Sequence, residues 1–230
     1  VHPGGITIDK PLRIEGDGIV LLTGVAGAKA PVVSLVGGAD AELVGIALGY
    51  GGEGVILGAD AQGTFIDCVI SDNLEGIRLF DHTHVSLRRC RLSRNEQGGM
   101  WLWGAAQARI EECVFTANGA GEGGTAGPGM GVAERAHIVI VNSVVTESGW
   151  TGGILLRDSA QAELWGNTIQ RNMGAGIVLF DAACTGFSWY RFTGRVQGGH
   201  NLISDNGRGN LCPGELGFLT TEGGELDWRW

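Results

Sequence analysis

Three acidic side chains recur at almost one interval. Glu134, Asp158 and Asp181 follow one another at nearly equal steps, and Arg157 stands beside the second. If the chain brings positions one interval apart into register as neighbouring strands, their carboxylates lie about 5 Å from one another. Such a stack can raise the pKa of one carboxyl for general acid or base work, or offer oxygens to calcium. A plainer reading also fits. An Asp directly after a strand accepts hydrogen bonds from turn amides, and a repeat copies it once per unit. We take the plainer reading as the leading one.

A second constellation is aromatic. "GGMWLWG" (98–104) places Trp101 and Trp103 two positions apart. In a strand they share one side and Leu102 takes the other. Flat rings stack on sugar faces, and an Arg beside them pairs with carboxylates of acidic sugars. The same residue types also suit a protein partner. Two long excursions accompany the pair, "GAGEGGTAGP" (119–128) and "CTGFSWYRFTGRVQGG" (184–199). The second adds Phe187, Trp189, Tyr190 and Arg191.

Other chemistry is weaker. Cys68, Cys90 and Cys113 recur at nearly the interval of the acidic column. Ser143, Asn167 and Asn201 continue that position, so the demand there is for a small, weakly polar core residue rather than a metal or redox ligand. "FDHTH" (80–84) clusters Asp81, His82 and His84, yet His84 matches Gln107, His137 and Gln161 in the other units. Met100 and Met130 fall on inward positions, which argues against a copper box. The glycine run at 119–128 lacks Gly-Lys-Ser/Thr and opens no helix, so it is a poor phosphate loop.

These residues are positioned by an internal repeat with a period of roughly 22–24 residues. Units open at Gly54, Gly76, Gly99, Gly129, Gly153 and Gly176; the longer step from Gly99 to Gly129 carries the insertion 119–128. Weaker copies precede Gly54, at 41–48 and 11–16. Each unit opens with an alternating Gly-Ile-x-Leu strand, turns, and runs through two further short strands; no helical period of about 3.6 is present. Leucine-rich repeats match "LRRCRLSRN", but "EGIRLF" follows Asn73 as another strand, without a helical return. Stacked one on another, the units give inward columns such as Val55/Ile77/Met100/Met130/Ile154/Ile177 and Leu57/Leu79/Leu102/Val132/Leu156/Leu179. Further round run Phe65/Leu87/Ile110/Ile140/Leu164 and Ile70/Leu92/Phe115/Val145/Ile169. Asn73, Asn95, Asn118, Ser148 and Asn172 make a turn column, expected to adopt the left-handed backbone and to pair amides between units as a ladder. The outward columns, Ile56/Arg78/Trp101/Gly131/Leu155/Val178 and Gly58/Phe80/Trp103/Ala133/Arg157/Phe180, are unusually apolar for a solvated face. Both excursions flank that face, where they either wall a groove for a ligand or fold over the face and hide it.

The G-I-x-L…C/N-x-I-x-x-N units resemble the right-handed parallel β-helix superfamily, with its pectate-lyase-like fold. The resemblance covers most of the chain, and "VHPGGITIDKPLRIEGDG" resembles the first coil of such proteins. It implies an all-β solenoid of roughly eight to nine rungs, each repeating the unit described above. A lyase of this fold needs a base and a cation to stabilise an enolate at C5 of a uronic acid. The sets N-T-D, G-H-G and R-I-K of polygalacturonases and the D-P-H-E of alginate epimerases are absent, and "GGHN" (198–201) matches G-H-G only by chance.

Composition narrows the rest. Glycine makes up 42 of 230 residues, without the every-third spacing of collagen. A net charge of −9 argues against nucleic acid or an anionic membrane as partner, and no apolar run is long enough to insert in a bilayer. Five cysteines, with no C-x-x-C, argue against a disulfide framework and lean towards a reducing compartment, whereas the β-helix fold leans towards secretion; no signal peptide is visible, so the compartment stays open. No N-terminal capping helix precedes Val1, which points to a larger chain or an oligomer.

The expectation is therefore a single domain over 1–230. Its N-terminal rungs span 1–53, regular rungs 54–183, a long loop 184–200, and a last rung with cap 201–230. It is expected to act as a non-catalytic recognition module for a polysaccharide or a protein partner, through Arg78, Phe80, Trp101, Trp103, Arg157, Phe180, Trp189 and Tyr190. The alternative is a polysaccharide lyase, epimerase or hydrolase using Glu134, Arg157, Asp158 and Asp181. No cofactor or metal is expected, calcium entering only under the lyase alternative.

Overall fold

The structure is a computed structural model that describes residues 2–3, 5–24, 29–121, 127–180, 184, 191–213 and 226–227. A single rung shows how the sequence makes it. Met100–Leu102, Gln107–Glu111 and Val114–Thr116 are three short strands. They are short because the backbone turns left-handed after each one, at Gly104 (φ 71°), Glu112 (φ 54°) and Ala117 (φ 54°). The next rung repeats the device with Met130–Val132, His137–Val141 and Val144–Thr146, turning at Glu134, Asn142 and Glu147. A left-handed conformation costs a residue with a Cβ roughly 1–2 kcal/mol, so something must hold these corners.

Stacking supplies it. Among the described residues, nine strands make one parallel sheet, from Ile6–Ile8 up to Leu211–Cys212. The other two faces form one sixteen-stranded sheet, joined because Asp40–Gly49 runs through the corner that later rungs break. That strand still bends at Gly45, whose φ of 65° suits a residue without a Cβ. The inter-strand register reproduces the repeat: Met100 pairs with Ile77 below and Met130 above, Leu87 with Phe65 and Ile110, and Leu92 with Ile70 and Phe115. The inward columns are fully buried and form one continuous core. Leu226–Asp227 departs from the pattern, pairing antiparallel with Gln197 and Gly198 at the C-terminal edge.

Two polar ladders run through this core. In the first, the Asn95 side-chain oxygen accepts from the Asn73 backbone amide (3.2 Å) and side-chain amide (3.1 Å), and Asn118 accepts likewise from Asn95 at 3.1 and 2.9 Å. The series continues through Ser148, Asn172 and Asn206. The ladder is as expected, but the left-handed residue is not the Asn. It is the preceding one, Asp72, Arg94, Ala117, Glu147 or Arg171. The bend there turns the Asn side chain inward, where its oxygen satisfies amides of the rung below.

The second ladder explains the cysteines. Cys90 N–H donates to Cys113 Sγ, Cys113 N–H to Ser143 Oγ and Ser143 N–H to Asn167 Oδ1, at 3.3, 3.0 and 2.9 Å. The three thiols are free and buried. The hydrogen bond with Cys90 and then burial push Cys68 up, and the hydrogen bond with Cys113 pushes Cys90 up to about 12; Cys113 is lowered by its bond to Cys90. The expectation against disulfides is corrected, because Cys184 is bonded to Cys212.

Candidate functional site

The outward positions of the first strand build the site. In Met100–Leu102 the two flanking residues are buried and Trp101 is half-buried, so the indole stands outside the core. Above it, the rung Met130–Val132 carries only Gly131 and then Ala133 at the outward positions. A Cβ on Gly131 would stand 2.2 Å from the Trp101 ring, so the indole leans over the glycine into the space a side chain would need. Its Nε1–H donates to the Gln97 carbonyl at 3.3 Å. Trp103 stacks alongside, with centroids 5.5 Å apart and planes 19° from parallel. The Arg157 guanidinium, two rungs up, lies 4.5 Å from the Trp103 centroid, a cation–π contact.

The upper part of this face is covered. Leu155 and Val178 are 3% and 5% exposed, packed with Ala175 against Trp101, Phe180, Cys184 and Cys212. Cys212 stands on Val178 in the same outward column, so its disulfide ties residue 184 of the long excursion onto the last rung. Of the two readings of this face, self-cover holds for its upper half, which forms a small second core.

The lower half is open. A cleft of about 610 Å³ is lined by Glu75, Arg78, Phe80, Gln97, Trp101, Trp103 and Gly127. Gly127 closes the insertion 119–128, which is pinned to the rung below by Gly121 N–H donating to the Glu96 carbonyl at 3.0 Å. One expected wall therefore borders the cleft. Its floor is ionic: Arg78 pairs with Glu53 at 3.0 Å and, through two nitrogens, with Glu75, and stands 6.0 Å from the Phe80 centroid. Burial opposes the Arg78 charge, yet the Glu75 hydrogen bond and the field of both carboxylates raise its pKa.

The right-handed β-helix region family matches residues 33–192. The chain belongs to that family. The repeat read from the sequence agrees with it, and the match spans the cleft and most of both ladders of the β-helix. A solved structure, ORF18 of Geobacillus virus E2, is similar with a TM-score of 0.37 at 11% identity, covering 91% of this β-helix and 52% of that chain. The β-helix thus spans about half the length of that structure. No curated protein matches it.

The remaining expected residues separate into two groups. In the acidic column, Glu134 Oε2 accepts from the Gly104 amide at 2.9 Å, and Asp158 Oδ2 accepts from the Glu134 amide at 3.2 Å and pairs with Arg157 Nε at 3.2 Å. Each carboxylate holds the left-handed corner of the rung below. Phe192 pairs with Asp158 on the next rung. Asp181, Trp189 and Tyr190, like Phe187, lie outside the described residues; Arg191 is exposed. Sequence reasoning missed Glu53, Glu75 and Gln97. They precede the glycine with which each unit is read to open, although Glu53 and Glu75 begin the strands Glu53–Leu57 and Glu75–Leu79, and only the neighbourhood of Glu75 to Arg78, three positions on, hinted at them.

Proposed function

We propose that the β-helix is a non-catalytic glycan-binding module and that the cleft beside Phe80 and Trp103 is its binding site. The observation that carries the reading is the composition of the cleft: three aromatic rings with a carboxylate, a guanidinium and an amide in one concavity of about 610 Å³. A sugar ring has an apolar C–H face and a rim of hydroxyls that both donate and accept, which this set matches. The volume is that of a small-ligand site. A protein partner would bury a broad patch of at least ~1,000 Å², and the apolar ground for one, around Leu155 and Val178, is already taken by the chain's own residues. Glu134 and Asp158 are engaged with turn amides, which supports binding over catalysis by that column.

Isothermal titration with oligosaccharides tests this. Trp103→Ala and Phe80→Ala are expected to weaken binding at least tenfold while the melting temperature stays within a few degrees. Binding that survives both substitutions, or release of new reducing or unsaturated ends from the ligand, overturns the reading.

A further inference from the structure

The cleft is lined by one cation and one anion, Arg78 and Glu75, and Glu53 pairs with Arg78 from behind the lining, so all three are committed to one another. Arg78 Nε donates to Glu75 Oε2 at 2.5 Å, Nη2 donates to Glu75 Oε1, and Nη1 pairs with Glu53 Oε1 at 3.0 Å. Every nitrogen of the guanidinium thus faces a carboxylate. The Glu75 and Glu53 side chains are only 7% and 14% exposed. A two-point guanidinium–carboxylate contact is among the strongest polar pairings, and removing one partner leaves a buried charge unmatched. Arg157, the other cation near the rings, pairs with Asp158 at 3.2 Å. The ionic floor therefore carries one surplus negative charge, in a chain whose net charge is −9.

We infer that the cleft selects uncharged glycans and rejects uronic-acid polymers. The inference rests on the glycan-binding reading and narrows it. A uronate carboxylate entering the cleft meets a guanidinium whose charge is already matched by two carboxylates, one on each side. To pair with Arg78 it must displace Glu53 or Glu75, stranding that group out of water. Hydroxyls face no such conflict, since they donate to the fixed carboxylate oxygens without disturbing the pairs. The expectation that an arginine beside these rings recruits acidic sugars is reversed at Arg78 by the company it keeps.

The test titrates the wild-type chain with cellohexaose, xylohexaose and mannohexaose, and with trigalacturonate and an oligoguluronate. At least one neutral ligand is expected to bind at least tenfold more tightly than either uronate. Glu53→Gln removes one of the two shields and is expected to raise uronate affinity at least threefold at low salt. Uronate binding as tight as, or tighter than, neutral binding in the wild type, abolished by Arg78→Gln, overturns the inference and leaves glycan binding standing. A Glu53→Gln chain that melts normally yet gains no uronate affinity also overturns it. If neither class binds, the glycan reading itself fails and takes the inference with it. The wild-type comparison decides the matter even if the variant does not fold.

Discussion

The ring of Trp101 occupies the space that a side chain at position 131 would need, 2.2 Å from where its Cβ would stand. Glycine there is thus a seat for a tryptophan from the rung below. Gly131→Val is expected to destabilise the fold by about 1–3 kcal/mol, the usual cost of overpacking, and to shift tryptophan fluorescence as the indole is driven outward. An unchanged melting temperature together with unchanged emission would contradict this seating.

The amide ladder is buried, so breaking it strands donors. Asn95 accepts from two nitrogens of Asn73, and its side-chain amide donates to Asn118 and to the Ile70 carbonyl at 3.2 Å. Asn95→Ala is expected to cost about 3 kcal/mol, since each unpaired buried group costs ~1–3 kcal/mol. Urea unfolding reads this directly; a loss under about 1 kcal/mol would mean that neighbouring groups re-pair.

Thiol labelling distinguishes the two kinds of cysteine. Native protein at pH 8 should take up no iodoacetamide, because Cys68, Cys90 and Cys113 are buried and Cys90 is pushed up to about 12 by its bond with Cys113. Unfolding without reductant should expose three thiols, and unfolding with reductant all five. Five labels without reductant would remove the Cys184–Cys212 bond from the description.

That bond joins positions 28 apart in sequence. Cys212→Ser is expected to lower stability by about 3–4 kcal/mol on loop-closure grounds and to increase binding of an apolar dye as cover is lost from Leu155 and Val178. Dye binding equal to that of the parent would show that the cover is held by other contacts.

Two ion pairs join successive rungs on the surface, Arg89 with Asp67 and Arg94 with Asp72, each at 2.7 Å. The arginine hydrogen bond lowers the pKa of each carboxyl. A carboxyl depressed in the folded state adds stability above the ordinary carboxylate pKa of ~3.9, and the gain fades as pH falls through the folded value. Both pairs are solvent-exposed, so the effect is small. Acid unfolding of the Asp67→Asn/Asp72→Asn double variant should show a shallower dependence on pH below about 4 than the parent. Parallel curves would mean that other carboxylates govern acid stability.

Much of this molecule is legible in its sequence, for a physical reason. A coil that stacks on its own copy must place the same kind of side chain at the same point of every rung, so Met100 and Leu102 announce themselves as core and Trp101 and Trp103 as outside. What escapes that logic is whatever does not repeat. Glu53 and Glu75 sit ahead of the Gly-Ile-x-Leu pattern that marks each unit, and the third point of their triangle, Arg78, reads alone as a free cation. Cys212 extends an outward column, but its partner lies in an excursion of irregular length. The left-handed corner falls one position earlier than expected because Asn tolerates that conformation so well that it attracts the assignment, while the backbone gives the strain to Asp72 or Arg94 and keeps the Asn for the ladder.

The corners and ladders also set the quantum in which this chain can change length. Removing a single residue between Gly76 and Asn95 would throw every column above it out of step, whereas removing a full turn would return each side chain to an equivalent address. Among the regular rungs, the two long insertions accordingly fall after Asn118 and beyond Phe180, where the strand above can resume in phase. Heredity can edit such a molecule as one edits a spiral stair, by whole treads or at the landings.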